Sequence, residues 1–371
     1  MKISCDREQL LHAFQTVATV APARSPKPIL QNVKLDATAD GVTLTATDLE
    51  VGIRHAVAGV DVQAPGSIVL SVTRFGSILR ENTDQTLHIE SDGQGTTIRG
   101  ERSKFQLPAE NPAEFPPVAD FTETAFFEVP ARLLRELIRR TVFATDNESS
   151  RYALGGVKLE FDGGEITAIG TDGRRLAKMS GPIATHGGAT APQQNTIVPT
   201  RAMQLIERAI APSDAELQMA IRGNEFLVHS PRAVISARLL EGRFPDWRKV
   251  FPAAGSGTQI ELAAGQTHAA VRQAAIVTSE ESRGIDFAFG DGVLVLAGKA
   301  AEVGQSRVEL PIGYSGGEIA ITLDPRFVVD FLKVLDADKS FTIELKDSDS
   351  AAMCSTDDGY AYVIMPLARD R

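Results

Sequence analysis

Cysteine is nearly absent from this chain of 371 residues: only Cys5 and Cys354 occur, at opposite ends and outside any CxxC spacing. That argues against a disulfide framework and against a zinc site. Long apolar runs are missing too. None approaches the roughly 20 residues that a bilayer span requires, and the opening Met1-Lys2-Ile3-Ser4-Cys5-Asp6 turns polar at once. Neither a secretion leader nor a membrane anchor is expected, so the cytoplasm is the expected compartment. The catalytic signatures GxxxxGK with Ser or Thr, GxSxG and HExxH are lacking. The histidines His12, His55, His88, His186, His229 and His268 are scattered singly, which fits surface or core positions better than metal ligation. No cofactor and no metal are expected.

What is present describes an ordinary globular protein, 43% hydrophobic and 23% charged. At roughly 100–200 residues per domain, the length suggests two or three domains. The net charge of −10 argues against nucleic acid, because phosphate binding requires cations. Totals mislead, however, when charge is segregated by face.

A pattern recurs along the chain. Leu10, Phe14 and Val17 share one helical face. Val33-Lys34-Leu35 follows, then the alternating run Gly41 to Asp48, a second helix from Thr73-Arg74 to Arg80, and short strands at 86–90, 96–100 and 104–107. The order returns with Leu133, Leu134, Leu137 and Ile138, Val157-Lys158-Leu159, Glu165 to Asp172, a helix from Thr200-Arg201 to Ala211, and Phe244-Pro245 echoing Phe115-Pro116. The offsets are 123 to 129 residues. A weaker third copy begins near Gln259, with Val271, Ala274 and Ala275 in its first helix and Pro325-Arg326 opening its second. Each copy holds two amphipathic helices and about eight short strands, an α+β unit with its helices on one face of antiparallel sheet. The domain boundaries expected are 1–122, 123–253 and 254–371. Ala184–Gln194, rich in Gly, Ala and Pro, reads as an exposed linker, and Asp162-Gly163 and Asp291-Gly292 read as hairpin turns.

Several segments then carry a family resemblance: Arg24 to Asn32, Thr47-Asp48-Leu49-Glu50, Arg151 to Gly156, Thr171 to Leu176, Gly242 to Trp247 and Met365-Pro366-Leu367. In this order they resemble the beta sliding clamp of bacterial DNA polymerase III, over residues 2 to about 367. Two departures stand out: Arg174 replaces a frequent His, and the tail runs on as Ala368-Arg369-Asp370-Arg371.

The resemblance implies a non-catalytic processivity subunit, a head-to-tail homodimer whose six domains close a ring lined by twelve helices. At roughly 8–10 Å between neighbours, twelve helices leave a hole of about 20–28 Å, enough for a B-form duplex. The six candidate lining stretches of one chain carry a formal +5, so the remainder carries −15. A basic lining in an acidic body fits DNA admitted only through the hole. Candidate phosphate contacts are Arg24, Lys27, Arg80, Arg132, Arg135, Arg139 and Arg201. No base-reading motif or stacking platform occurs, so duplex binding without sequence specificity is implied.

The family's partner pocket accepts a short apolar peptide from the polymerase III catalytic subunit, the clamp loader and other proteins carrying a clamp-binding motif. Matching positions are Leu154, Thr171, Gly173, Arg174, Arg175, Leu176, Pro245, Lys249, Val250, Val363, Met365, Pro366 and Leu367. The implied dimer seam sets Phe105 and Leu107 against Ile276 and Val277, with Arg102 and Lys104 facing acidic residues such as Glu302.

Two rivals come from other classes. An enzyme would use Thr171-Asp172-Gly173-Arg174-Arg175 as a phosphate loop or acid/base site. Yet Thr47-Asp48 repeats the Asp with no arginines after it, which suits a structural turn. The other rival is a β-rich scaffold that binds proteins but not DNA.

Overall fold

The computed structural model describes residues 1–146, 148, 153–252, 255, 257–279 and 283–367. The described residues form six α-helices: α1 (Arg7–Ala18), α2 (Val72–Glu81), α3 (Ala131–Thr141), α4 (Thr200–Ala209), α5 (Ala264–Ala274) and α6 (Pro325–Lys333). The element order repeats three times. Each repeat runs one strand, a helix, a set of strands, a helix and three strands, with five strands between the helices in the first two repeats and four in the last.

Two of the helices, α1 and α6, begin at side-chain caps, and the helices turn apolar faces inward. Asp6 accepts from Gln9 N at the start of α1, whose Leu10, Ala13, Phe14 and Val17 are buried. Phe14 meets Phe75 of α2 edge to face at 5.1 Å. Asp324 caps α6 by accepting from Arg326 N, and Pro325 fits the first turn, where its missing N–H costs nothing. Phe331 of α6 stacks on Tyr362 at 5.2 Å and on Tyr360 at 5.5 Å. In α3, Leu134, Leu137 and Ile138 are fully buried, each side chain stabilising the fold by about 1.5–3 kcal/mol.

Every strand pairing among the described residues is antiparallel, and contacts divide the chain into two compact units. The first (Met1–Leu134, Ile183–Pro192 and Arg201–Leu239) contains a five-stranded and a nine-stranded sheet; the second (Arg135–Pro182, Gln193–Thr200 and Leu240–Arg371) contains an eight-stranded and a four-stranded sheet. Both larger sheets join strands of successive repeats. In the first unit Val51–Val57 pairs with Ala233–Arg238, the last strand of the second repeat. In the second unit Arg175–Pro182 pairs with Tyr360–Ile364, the last strand of the third repeat. Two strands holding the corresponding places, Lys104–Pro108 and Gly304–Pro311, lie at the edges of the smaller sheets.

The stretch read as a linker departs from expectation at its start. Ala184–His186 is a strand, paired with Phe126–Glu128 at the edge of the nine-stranded sheet. A three-residue strand is too short for alternation to reveal it in a Gly- and Ala-rich sequence. The hairpin at Asp291-Gly292 places both residues at positive φ, +49° and +78°, the geometry a tight two-residue turn requires.

Candidate functional site

The candidate pocket lies wholly within the second compact unit and is organised by one turn. Glu165–Thr171 passes into Arg175–Pro182 through Asp172, Gly173 and Arg174. Thr171 Oγ1 donates to Arg175 O at 2.6 Å and accepts from Gly173 N at 3.1 Å. Asp172 Oδ1 accepts from the amides of Arg174 at 2.9 Å and Arg175 at 3.0 Å. Gly173 sits at φ +86°, where an L side chain is strained. The turn thus satisfies its own backbone, and Asp172 is employed as a structural acceptor rather than as an acid or base.

Arg174 and Arg175, paired in the sequence reading as polar anchors, take opposite directions. Arg174 is exposed, and its carbonyl accepts from Met365 N at 2.9 Å. Arg175 turns inward, its side chain 10% exposed. Its Nε donates to Asp172 at 3.0 Å, Nη1 to Asp330 at 2.7 Å and Nη2 to Phe143 O at 2.8 Å. Its guanidinium also lies over the rings of Phe327, at 4.5 Å, and Phe143, at 5.4 Å. Burial opposes its charge, but these partners, with Tyr362, outweigh that and push its pKa still higher.

Beneath the turn, Leu154, Leu176 and Val363 are buried together with Ile169, Ile197, Phe244 and Trp247. At the surface, Met365 is 43% and Val250 39% exposed. Pro245, Pro366 and Leu367 are half-buried, and Lys249 is exposed with an ion pair to Asp246 at 3.0 Å. An apolar floor therefore meets exposed apolar and cationic side chains, a surface chemistry suited to a peptide with apolar anchors. The tail Ala368–Arg371, like Arg151 and Tyr152, lies outside the described residues.

Sequence reasoning missed Phe244 and Trp247 as part of this cluster, although Gly242–Trp247 was among the resembling segments. Trp247 Nε1 donates to Glu160 at 3.1 Å. Burial disfavours the Glu160 carboxylate, yet Arg248, Lys158 and Trp247 donate to it and bring its pKa down to about 2.

The seven candidate DNA contacts differ in how committed they are. Arg24 and Lys27 are exposed ahead of the short helix Pro28–Gln31, and Arg132 is exposed on α3. Arg80 is exposed and donates weakly to Ser77 at 3.4 Å. Arg135 is half-buried. Arg139 spends its guanidinium on Val334 O at 2.7 Å, beyond the end of α6. Arg201 bonds to Asp48 and to the carbonyls of Thr19 and Val20, at 3.3 and 2.8 Å, just past the end of α1. Those two arginines cap helix ends, where partial negative charge collects. The neighbouring Arg140, which the sequence reading did not single out, is buried and pairs with Glu136 at 2.8 Å and Asp358 at 2.7 Å.

On the first unit's edge strand, Lys104 and Phe105 are exposed and Leu107 half-buried, with Arg102 exposed just before it. In the second unit Ile276 is 76% exposed, Val277 is half-buried and Glu302 is exposed. Among the described residues, no group of three or more His, Cys, Asp or Glu could hold a metal ion, and no helix is long and apolar enough to cross a membrane.

Three family models match in succession: the DNA polymerase III beta subunit N-terminal domain over residues 1–119, its central domain over 128–246 and its C-terminal domain over 248–368. The beta sliding clamp of Escherichia coli (strain K12) is 30% identical over 372 residues, covering 99% of this chain and 100% of the relative. The beta sliding clamp of Chlamydia muridarum is 29% identical, covering 99% of each. Among solved structures, a sliding clamp (DNA polymerase III subunit beta) from Pseudomonas aeruginosa bound to griselimycin superposes with a TM-score of 0.90 at 29% identity, covering 100% of both chains.

Proposed function

The chain belongs to the bacterial DNA polymerase III beta-subunit family, and on that premise we propose that two copies close head to tail around duplex DNA. It is a DNA sliding clamp, a processivity factor for the replicative polymerase, and it is non-catalytic. The repeated helix-on-sheet domains carry that architecture; we propose boundaries at 1–122, 123–253 and 254–371.

One observation carries the dimer. Two of the three possible seams between repeats are made within the chain, each by the last strand of one repeat pairing with an inner strand of the repeat before it. The third would join Lys104–Pro108 of one copy to Gly304–Pro311 of another, and these are edge strands. Phe105, Leu107, Ile276 and Val277 supply the apolar contact, while Arg102 and Lys104 complement Glu302. A heterologous contact of this kind closes into a ring when its rotation permits.

Arg24, Lys27, Arg80, Arg132 and Arg135 meet phosphates, with topology rather than affinity keeping the ring in place. Arg139 and Arg201 support that surface by fixing helix ends. The pocket around Leu154, Leu176, Val363, Met365 and Val250 docks the polymerase catalytic subunit, the clamp loader and other peptide-bearing partners in the cytoplasm. Griselimycin, bound by the Pseudomonas aeruginosa clamp, is taken here as a ligand of this pocket.

Solution mass with low-resolution shape, beside retention on loaded plasmid, tests this reading. A dimeric annulus held on circular but not on linearised plasmid is expected; retention on neither would favour a protein scaffold. Phe105→Asp and Ile276→Asp should each give a folded monomer that is not retained.

A further inference from the structure

We propose that Asp330, on α6 and outside the pocket, is a positioning residue for the peptide site, holding through Arg175 the turn that presents Arg174. The inference rests on the pocket reading above.

The same turn occurs twice in the chain, and the difference between the copies carries the argument. In the first repeat Thr47 Oγ1 donates to Val51 O at 2.9 Å and accepts from Leu49 N at 2.9 Å. Asp48 Oδ1 accepts from Glu50 N at 2.9 Å and Val51 N at 2.7 Å. Every one of those bonds has its counterpart at Thr171–Arg175. The cation that neutralises the aspartate, however, comes from different places. Asp48 receives Arg201 from α4, a side chain 52% exposed, and an apolar Val51 stands where the second turn has Arg175. In the second repeat the cation is part of the turn and is largely buried.

That shift changes what holds the turn. Arg175 is bonded at once to the turn through Asp172, to the segment following α3 through Phe143 O, and to α6 through Asp330. A buried guanidinium keeps its geometry only while its ionic partners remain. Arg174 follows Gly173 directly, and its carbonyl anchors Met365. A displacement of Arg175 therefore moves Arg174 and Met365, two exposed members of the rim. Among the described residues, Asp330 supplies the one carboxylate on Arg175 that does not belong to the turn.

Calorimetric titration of the full-length dimer with griselimycin, well below the melting temperature, tests the relay. Asp330→Asn should weaken binding about five- to tenfold at unchanged stoichiometry, and Asp330→Glu should recover most of the loss. Asp358→Asn, which breaks the 2.7 Å pair with Arg140 in the same compact unit, should leave affinity unchanged, separating positioning from general loss of stability. Met365→Asp should abolish binding and so tests the pocket itself. Loss with Met365→Asp but affinity within about twofold of wild type for Asp330→Asn would overturn the relay and leave the pocket standing. No effect of Met365→Asp, or no binding by the wild type, would overturn the pocket and the relay with it.

Discussion

Leu49 and Gly173 occupy the same position in the two equivalent turns, and both have positive φ, +79° and +86°. Glycine adopts that backbone freely, whereas a γ-branched side chain is strained there by about 1–2 kcal/mol. Leu49 is also 49% exposed, so packing returns little of that cost. Leu49→Gly should raise the stability of the chain by about 0.5–1 kcal/mol, read from denaturant melts. Gly173→Ala should lower it by about 1 kcal/mol, since a Cβ there meets no neighbour within 4 Å and the penalty is conformational alone. A neutral outcome for both would mean that the turns relax without strain.

The arginines should separate into two groups. Arg24→Glu and Arg132→Glu should reduce loading onto circular plasmid, and reduce its salt dependence, without changing solution mass. Arg201→Ala should instead lower the melting temperature, by about 1 kcal/mol of stability, because it uncaps carbonyls past the end of α1 and frees Asp48. Equal behaviour of the two groups would contradict the division into phosphate contacts and helix caps.

Acid should act through Glu160. Its carboxyl ionises at about 2 when folded, against an ordinary value of 4.5. A depressed pKa contributes stability that is complete above the unfolded value and is lost as pH falls toward the folded one. The loss should therefore run from pH 4.5 down to about 2. Melts across that window should be steeper in pH for the wild type than for Glu160→Gln, and parallel curves would remove Glu160 from the account.

Neither thiol should react in the native state. Burial pushes Cys5, helped by Asp6, and Cys354 up to about 12, so almost no thiolate exists near neutrality. A disulfide reagent should label both cysteines only after denaturation, and prompt native labelling of either would refute the burial.

Much of the repeat was legible in the sequence because it is local. Leu134, Leu137 and Ile138 are spaced for one helical face and are buried, and Thr171-Asp172 followed by glycine specifies a turn in which Asp bonds the backbone ahead. Long-range hydrogen bonding was not legible. Arg139 and Arg201 look like lining cations, and only the fold brings Val334 O or Val20 O within reach. Likewise nothing near Arg175 in sequence announces Asp330. Phe244 and Trp247 were visible as a motif, but that they pack against Leu154 and Val363 depends on how distant strands pair.

Two of the open sheet edges, Lys104–Pro108 and Gly304–Pro311, set a constraint on dilution. A lone copy would carry unmet amides and carbonyls at both, one donor-and-acceptor row seeking the other, and such rows recruit any extended chain they encounter. The dimer proposed above would therefore persist only at concentrations above its dissociation constant. Charged side chains such as Lys104 and Arg307, exposed along those edges, would disfavour indiscriminate pairing of a lone copy.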